Sequence, residues 1–398
     1  MSSSAGHPLN VAIACGGTGG HLFPGLAVAG QLVSRGAGVT LMISSKEVDQ
    51  LAAKAAEGLR IVTLPAIGLT RGRLVAFVRG FRESYNVARR CFNELRPRAV
   101  LAMGGFTSAP SLLAAKRLKA SAFLHESNTI PGRANRWLSW TVDRAFVGFP
   151  SAANRLHARH VEVTGTPVRT NFAPLDPDVC RKALGLDPAR PVALVMGGSQ
   201  GASAINELVI RSLPLLARRG PEWQWFHLAG PADVEKLQRA YQAQKLDACV
   251  HSFFLKMELA MGAATAAISR AGASSLAEIA AMRLPAVLIP YPAAMDNHQF
   301  HNARAFEQTG AARLVEQRTA RPEDLIRSFG ELMSQNALRE KMQTSLAAWH
   351  KSSAADVIAQ AILEVTGISS NSFRLGRSTN DEPPSDNLPA LRLIHSHD

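Results

Sequence analysis

At 398 residues the chain exceeds one ordinary hydrophobic core and suits two domains. Hydrophobic residues make up 46% and charged residues 19%, which excludes a mostly disordered or fibrous protein, and Cys15, Cys91, Cys180 and Cys249 form no CxxC pair, so reduced cytosolic thiols are expected and neither a disulfide framework nor a zinc site. The net charge of +13 lies entirely in residues 1–170, with 21 Lys+Arg against 8 Asp+Glu, while residues 171–398 hold 23 of each, so the first half calls for an anionic partner, nucleic acid or lipid.

The N-terminus has no basic region, and Val11–Cys15 is too short for a signal-peptide core. No apolar run reaches the roughly 18 residues of a membrane span, so membrane contact should be peripheral. The run Val11–Ala14 reads as a buried strand, and Gly25–Ser34 as the helix after it. Between them lies Gly16-Gly17-Thr18-Gly19-Gly20-His21. Glycines there let backbone N–H groups face an anion beside a helix start. Leu22 replaces the third glycine of a dinucleotide fingerprint, and no Gly-Lys-Ser/Thr follows, so neither a dinucleotide loop nor a Walker loop fits. A turn needed only for packing is the plain alternative.

Val39–Ile43 is a second strand. Residues 71–98 then carry eight arginines, Arg73, Arg79 and Arg82 among them, against Glu83 and Glu94. Leu74, Phe77, Val78 and Phe81 fall on one helical face within this stretch. An apolar face flanked by arginines suits the headgroup region of an anionic bilayer. It also suits an amphipathic helix packed on its own sheet, and one segment can do both.

The strand Arg98–Met103 leads into a second glycine loop, Met103-Gly104-Gly105-Phe106-Thr107-Ser108-Ala109-Pro110. The strand Ala122–His125 leads into His125-Glu126-Ser127-Asn128. Pro167, Pro174 and Pro177 mark a linker near 166–178, where Asp176-Pro177-Asp178 reads as a turn. The pattern restarts with the strand Pro191–Met196, the loop Gly197-Gly198-Ser199-Gln200-Gly201 and the helix Ala202–Arg218. Trp225–Leu228, Ala266–Ile268 and Pro285–Pro290 continue it. Short buried strands alternating with helices indicate doubly wound parallel sheets, and the restart indicates two Rossmann-like domains. Ligands bind at the strand C-termini of such sheets, where all three loops fall. Residues 272–276 look like a helix start open to a diphosphate. Glu278 could accept both ribose hydroxyls or merely complement the helix dipole. The last helical pattern ends near Thr366, and Ser369–Asp398 reads as a disordered tail.

The segments GGTGGHLFPGLAVA (16–29), MGGFTSAP (103–110), HESNTIPGRANR (125–136), TGTPVR (164–169), GGSQGASAIN (197–206), SRAGASSLAEIAA (269–281) and IPYPAAMDNHQFHNA (289–303) occur together in one order. In these the chain resembles the MurG family, UDP-N-acetylglucosamine:undecaprenyl-pyrophosphoryl-muramoyl-pentapeptide N-acetylglucosaminyltransferases of bacterial cell-wall synthesis, over about residues 10–365. The resemblance implies a GT-B fold, two Rossmann-like domains with parallel sheets facing a cleft. It implies an acceptor- and membrane-binding domain (1–166), a linker (167–178), a UDP-sugar domain (179–345) and a C-terminal helix (346–367) able to pack back on the first domain, before the tail (368–398). It implies inverting transfer of N-acetylglucosamine to the 4-hydroxyl of a lipid-linked muramoyl-pentapeptide at the cytoplasmic face of the plasma membrane. Matched by motif, Ser199, Phe254, Ala273, Ser274, Ser275, Glu278 and Gln299 should surround UDP, with Arg169 approaching from the linker. Thr18, Gly19, Gly20, His21, Asn128 and His298 should lie near the transferred sugar. Gly16, Gly17, Gly104, Gly105 and Ser108 should hold the acceptor's pyrophosphate. Ser127, Phe106, Ala109, Thr166 and Leu255-Lys256 depart from the family pattern.

Inverting transfer needs a base for the acceptor hydroxyl and stabilisation of the leaving UDP. His21 is the expected base, with Glu126 in competition. The helix start near Ala273 would receive the leaving diphosphate, so neither metal nor cofactor is expected. A related GT-B enzyme acting on a diacylglycerol-type lipid, and a silent nucleotide-sugar-binding protein, are the alternatives. The basic half lacks interleaved aromatics for stacking bases, which argues against nucleic acid.

Overall fold

A computed structural model of the chain describes residues 9–17, 19–46, 49–50, 58–65, 74–198 and 201–366. Thr18, Ser199, Arg73 and the expected tail 368–398 lie outside the described residues. Two parallel sheets organise the described chain.

The first domain runs β1 (Asn10–Ala14), α1 (Gly19–Val33), β2 (Gly38–Ser44), β3 (Arg60–Leu64), α2 (Leu74–Leu95), β4 (Ala99–Ala102), α3 (Ser108–Arg117), β5 (Ser121–Glu126), α4 (Arg133–Ser139), β6 (Arg144–Val147), α5 (Pro150–Ala153) and β7 (His160–Val163). Its sheet has the order β3-β2-β1-β4-β5-β6-β7. Order reverses between β1 and β4, where the first two glycine loops leave the sheet. Helix α1 begins at Gly19, six residues before the start read from the sequence. Gly19, Gly20 and Pro24 are weak helix formers, and packing overrides them: Leu22, Pro24 and Gly25 are buried. A side chain at Gly25 would meet the Cβ of Cys15 at 2.7 Å, so only glycine lets helix and strand approach this closely.

The second domain runs α6 (Pro177–Ala183), β8 (Val192–Met196), α7 (Ser203–Arg219), β9 (Gln224–Leu228), α8 (Val234–Ala243), β10 (Asp247–His251), α9 (Met257–Ala263), β11 (Ala266–Ser269), α10 (Ala273–Met282), β12 (Ala286–Leu288), α11 (His298–Gln308), β13 (Arg313–Leu314), α12 (Pro322–Ser334) and α13 (Asn336–Trp349). Its sheet has the order β10-β9-β8-β11-β12-β13. Asp176 caps α6 through the amides of Asp178 and Val179, so the turn expected there is a helix start.

The chain then crosses back. Helix α14 (Ala354–Val365) buries Ala355, Ile358, Ala359 and Ile362 in the core beneath α1. In the opposite sense Phe149, from the first domain, joins the second core beside Phe306 and Trp349, which stack at 4.5 Å. Helices α2, α3 and α4 share the other core of the first domain and so form one layer on that face of the sheet.

Candidate active site

The site forms where the C-terminal edges of the two sheets meet. The first glycine loop is clamped from both sides. The Gly16 amide donates to Thr107 Oγ1 at 3.1 Å, and that hydroxyl donates back to the Gly16 carbonyl. The Gly17 amide donates to Asp49 Oδ2 at 2.7 Å, and Lys46 Nζ donates to the Gly17 carbonyl at 2.7 Å. In the second loop the Gly104 amide donates to Ser108 Oγ at 3.1 Å. The amides of Gly16, Gly17 and Gly104, expected to face an anion, are therefore engaged by the protein's own oxygens. The physical reason is burial: residues 15–17 and 103–104 lie inside the protein, where an unpaired amide is costly.

These loops shape the His21 pocket. Gly104 and Gly105 have φ of 105° and 77°, and a side chain at either would press on the imidazole, at 2.9 Å from Nε2 and 3.1 Å from Nδ1. His21 keeps partial exposure toward the cleft while protein crowds its ring. Burial pushes its pKa down to about 4; the Asp49 charge opposes this, and His298 and Lys46 reinforce it. The imidazole is neutral at pH 7 and able to accept a proton.

Glu126 is held differently. Oε1 accepts from the Asn128 amide at 2.8 Å and from Asn128 Nδ2 at 3.0 Å, and Oε2 accepts from the Gly132 amide at 2.9 Å and Asn135 Nδ2 at 2.8 Å. Four donors occupy its lone pairs, so the carboxylate fixes the 126–132 turn and is poorly placed to accept a substrate proton. His125 is wholly buried beneath it, and burial pushes its pKa down to about 4. Its Nε2 lies 3.1 Å from the Gly165 carbonyl and so carries the hydrogen, leaving Nδ1 to accept from Ser127 Oγ at 3.2 Å. Ser127, a departure from the family pattern, thus has a defined partner.

Across the cleft, Asn128 Oδ1 accepts from Asn302 Nδ2 at 3.1 Å. The buried Asn302 also accepts from the amide and hydroxyl of Thr129, both at 2.9 Å, and donates to the Ala271 carbonyl at 3.1 Å. Arg133 and Arg136 reach Asp296 at 3.3 and 3.6 Å. Arg169 lies over Phe23 of α1 at 4.5 Å and over Phe172 at 4.8 Å, with Nη2 3.6 Å from Glu278 Oε1. Burial pushes the Glu278 pKa up to about 7, more than Arg169 pulls it down.

Helix α10 opens at Ala273, with Ser274 and Ser275 next. Gly272 offers no side-chain cap, and the first turn holds no acid. Its amides and dipole are left available to an anion. Gln299 Oε1 accepts from the Tyr291 amide at 3.0 Å, and His298 Nδ1 lies 2.8 Å from the Met295 carbonyl. The Phe254 ring packs edge-on against Phe226 at 5.1 Å, which leaves its main chain as the part able to meet a base. His21, Glu126, Asn128, Arg169, Glu278 and His298 are thus linked through shared contacts or fields. Asp49, Lys46, Thr107, Phe23 and Asn302 join this constellation, and sequence reasoning missed all five. Thr107, Phe23 and Asn302 sit inside the motifs read from the sequence and could have been asked for; nothing in the polar stretch after β2 marks Asp49 or Lys46.

Helix α2 lies in the layer it shares with α3 and α4. The helix buries Gly80, Ser84, Ala88, Cys91 and Phe92, which turns Leu74, Val75 and Val78 outward, with Phe77 and Phe81 half-buried. Arg82 is exposed, and Arg79 pairs with Glu83 at 2.8 Å.

Residues 11–147 match the glycosyltransferase family 28 N-terminal domain, and residues 192–361 its C-terminal domain. A UDP-N-acetylglucosamine–N-acetylmuramyl-(pentapeptide) pyrophosphoryl-undecaprenol N-acetylglucosamine transferase of Rhodospirillum rubrum is 37% identical over 337 residues, 82% of this chain and 84% of its own. The chain belongs to the MurG family. A transferase of the same description from Coxiella burnetii is 35% identical over 324 residues, 80% of this chain and 88% of its own. The crystal structure of Acinetobacter baumannii MurG has a TM-score of 0.70 at 29% identity, covering 90% of this chain and 100% of that one. The two parallel-sheet domains are accordingly the GT-B fold of the MurG family, with α1 and α10 facing each other across its cleft.

Proposed function

We propose that this chain transfers N-acetylglucosamine from UDP-N-acetylglucosamine to the 4-hydroxyl of lipid-linked muramoyl-pentapeptide, with inversion, at the cytoplasmic face of the plasma membrane. The observation that carries the reading is the pairing of a half-buried, neutral imidazole at one wall of the cleft with an uncapped helix start at the other. The donor's diphosphate lies at Ala273–Ser275 and its ribose at Glu278, which exchanges Arg169 for the two hydroxyls. The acceptor oxygen attacks the anomeric carbon as the bond to UDP breaks. The acceptor proton passes to His21, and the bonding pair leaves with the diphosphate, stabilised by the α10 amides and by Arg169. Glu126 serves by holding Asn128, since its oxygens already accept four hydrogen bonds. The acceptor's pyrophosphate lies beside the glycine loops, where Lys46 and the α1 start supply positive potential.

The docking face is the outer side of the α2–α4 layer. Leu74, Val75 and Val78 are exposed among arginines, a groove lined by Phe81, Tyr85, Leu113, Lys116 and Arg117 continues the patch, and α4 and the residue after it add the exposed Trp137 and Trp140. Indole rings and arginines favour the headgroup region. No helix among the described residues is long and apolar enough to cross a membrane.

The test is a coupled assay with UDP-N-acetylglucosamine and the lipid acceptor. Disaccharide–lipid product with free UDP, undiminished by chelator, is expected. Hydrolysis of the donor without transfer, transfer to diacylglycerol alone, or activity lost to chelator and restored by magnesium would each overturn part of this reading.

A further inference from the structure

Asp49 is a wholly buried carboxylate outside every motif of the sequence. Its Oδ2 gathers three donors: the Gly17 amide at 2.7 Å, the Ser44 amide at 3.4 Å and the Ser44 hydroxyl. Its Oδ1 is buried and finds no hydrogen-bond partner among the described residues. Placing an acid inside the protein with one oxygen unsatisfied is costly, and an amide or hydroxyl could tie the same loop at less cost. The placement needs another reason. Gly17 lies two residues before the start of α1 and four before His21, the third residue of that helix, so an anchor on its amide fixes where α1 begins and where the imidazole stands.

We propose that Asp49 is a positioning residue for the transfer reaction, anchoring the first glycine loop and supplying the negative charge that steadies His21 as it takes up the acceptor's proton. The proposal rests on His21 being the base. Among the described residues, the charged or titratable groups that act on His21 include Asp49 and Lys46 after β2, His298 at the start of α11 and His125 on β5. Of these, Asp49 alone is anionic. Burial, Lys46 and His298 disfavour the imidazolium, and the Asp49 charge favours that form. A base whose conjugate acid is so destabilised would be weak without it. The carboxylate acts on the imidazole through the field, as the third member of a base–orienter pair does through a hydrogen bond.

The test compares Asp49→Asn, Ser44→Ala and His21→Gln, singly and with the first and last combined, using donor, lipid acceptor and a pH series. Asn keeps the acceptor oxygen for Gly17 and removes the charge. Asp49→Asn should lower kcat about tenfold, less than the roughly 10²–10⁴ of general-base assistance because the base itself remains, with donor affinity by calorimetry unchanged. The acid limb of its kcat/KM profile should move to lower pH, because the group favouring the protonated imidazole is gone. Ser44→Ala, which keeps the charge, should leave that limb in place. In the His21→Gln background Asp49→Asn should cause no further loss, because residues acting as one unit are not additive. Full kcat in Asp49→Asn, an unmoved acid limb, or a loss that persists undiminished beside His21→Gln would overturn the proposal. If His21→Gln keeps the parent's turnover, the base assignment falls separately; Asp49 is then judged as loop anchor alone, by whether Asp49→Asn lowers kcat.

Discussion

Glu278 is a buried carboxyl with one cation beside it, and its protonation near pH 7 couples to donor binding. Its pKa in the empty site is raised from 4.5 to about 7, so ionising it is unfavourable there. In the empty protein, stability contributed by the neutral acid is present below the ordinary carboxyl range and is lost as pH rises through about 7. Donor binding has the opposite sign. Two ribose hydroxyls donate to a carboxylate, so affinity for UDP-N-acetylglucosamine should be full above pH 7 and weaken below it, approaching tenfold per pH unit. Calorimetry across pH 5.5–8.5, a range of roughly one and a half decades of protonation on either side, should show this slope, and Glu278→Gln should flatten it. Retained slope in that variant would locate the dependence elsewhere. His21→Ala should lower turnover by about 10²–10⁴ and leave donor affinity intact, because a base acts in the transition state. Stopped or single-turnover kinetics at saturating donor checks it.

Helix α14 belongs by sequence to the C-terminal end and by packing to the first domain. Ile358 and Ile362 are fully buried under α1, whose N-terminus carries the His21 loop. Arg35 and Asp356 add an ion pair between the two helices, partly exposed and so a minor contribution. Ile358→Ala should destabilise the first domain by about 2–5 kcal/mol, the usual range for truncating a buried aliphatic residue. Calorimetric unfolding should show the first transition lowered while UDP binding by the second domain persists. A single transition shifted as a whole would mean that the two domains unfold as one unit. Helix α10 shows the converse economy of means: small residues at 273–275 and an uncapped Gly272 keep its first turn approachable, where a Ser or Asp cap would have competed with a diphosphate.

At the scale of the molecule, membrane docking depends on which way α2 turns. Its inward face is built from small residues and Phe92, and this sends Leu74, Val75 and Val78 outward beside basic residues. Each arginine near an anionic surface contributes about 1 kcal/mol. Replacing Arg73, Arg79 and Arg82 with Ser should therefore weaken binding to anionic vesicles by about two orders of magnitude. Parent binding should also fall with added salt, while UDP affinity stays constant. Equal sedimentation of parent and triple variant with phosphatidylglycerol vesicles would remove this face from consideration. The cleft is the second molecular feature, bridged by Asn302, the Arg133/Arg136–Asp296 pairs and Arg169, so donor binding at Glu278 and domain approach share residues.

The sequence by itself determined the fold class. Buried strands such as Val11–Ala14 and Val192–Met196 are apolar throughout because both faces of a parallel sheet are covered, and this signal is local. It also determined the glycine loops and the residues at strand ends, since tight turns limit which residues can stand there. Strands β3, β6, β7, β10 and β13 escaped it: four are edge strands with mixed or exposed faces that carry no clear period, and the interior β6 has only four residues. Only the tertiary structure decided what those loops do with their amides. Thr107 lies 91 residues from Gly16 and Asp49 lies 32 from Gly17, and hydrogen bonds across such separations leave no periodicity to read. The same holds for Glu126, one of two bases the sequence allowed: its donors come from Asn128 and Gly132 of one small loop and Asn135 of a helix, and their convergence on both oxygens is a matter of geometry. Burial made the remaining choice, since a histidine or glutamate takes its proton affinity from the dielectric and charges around it, and folding alone assembles those.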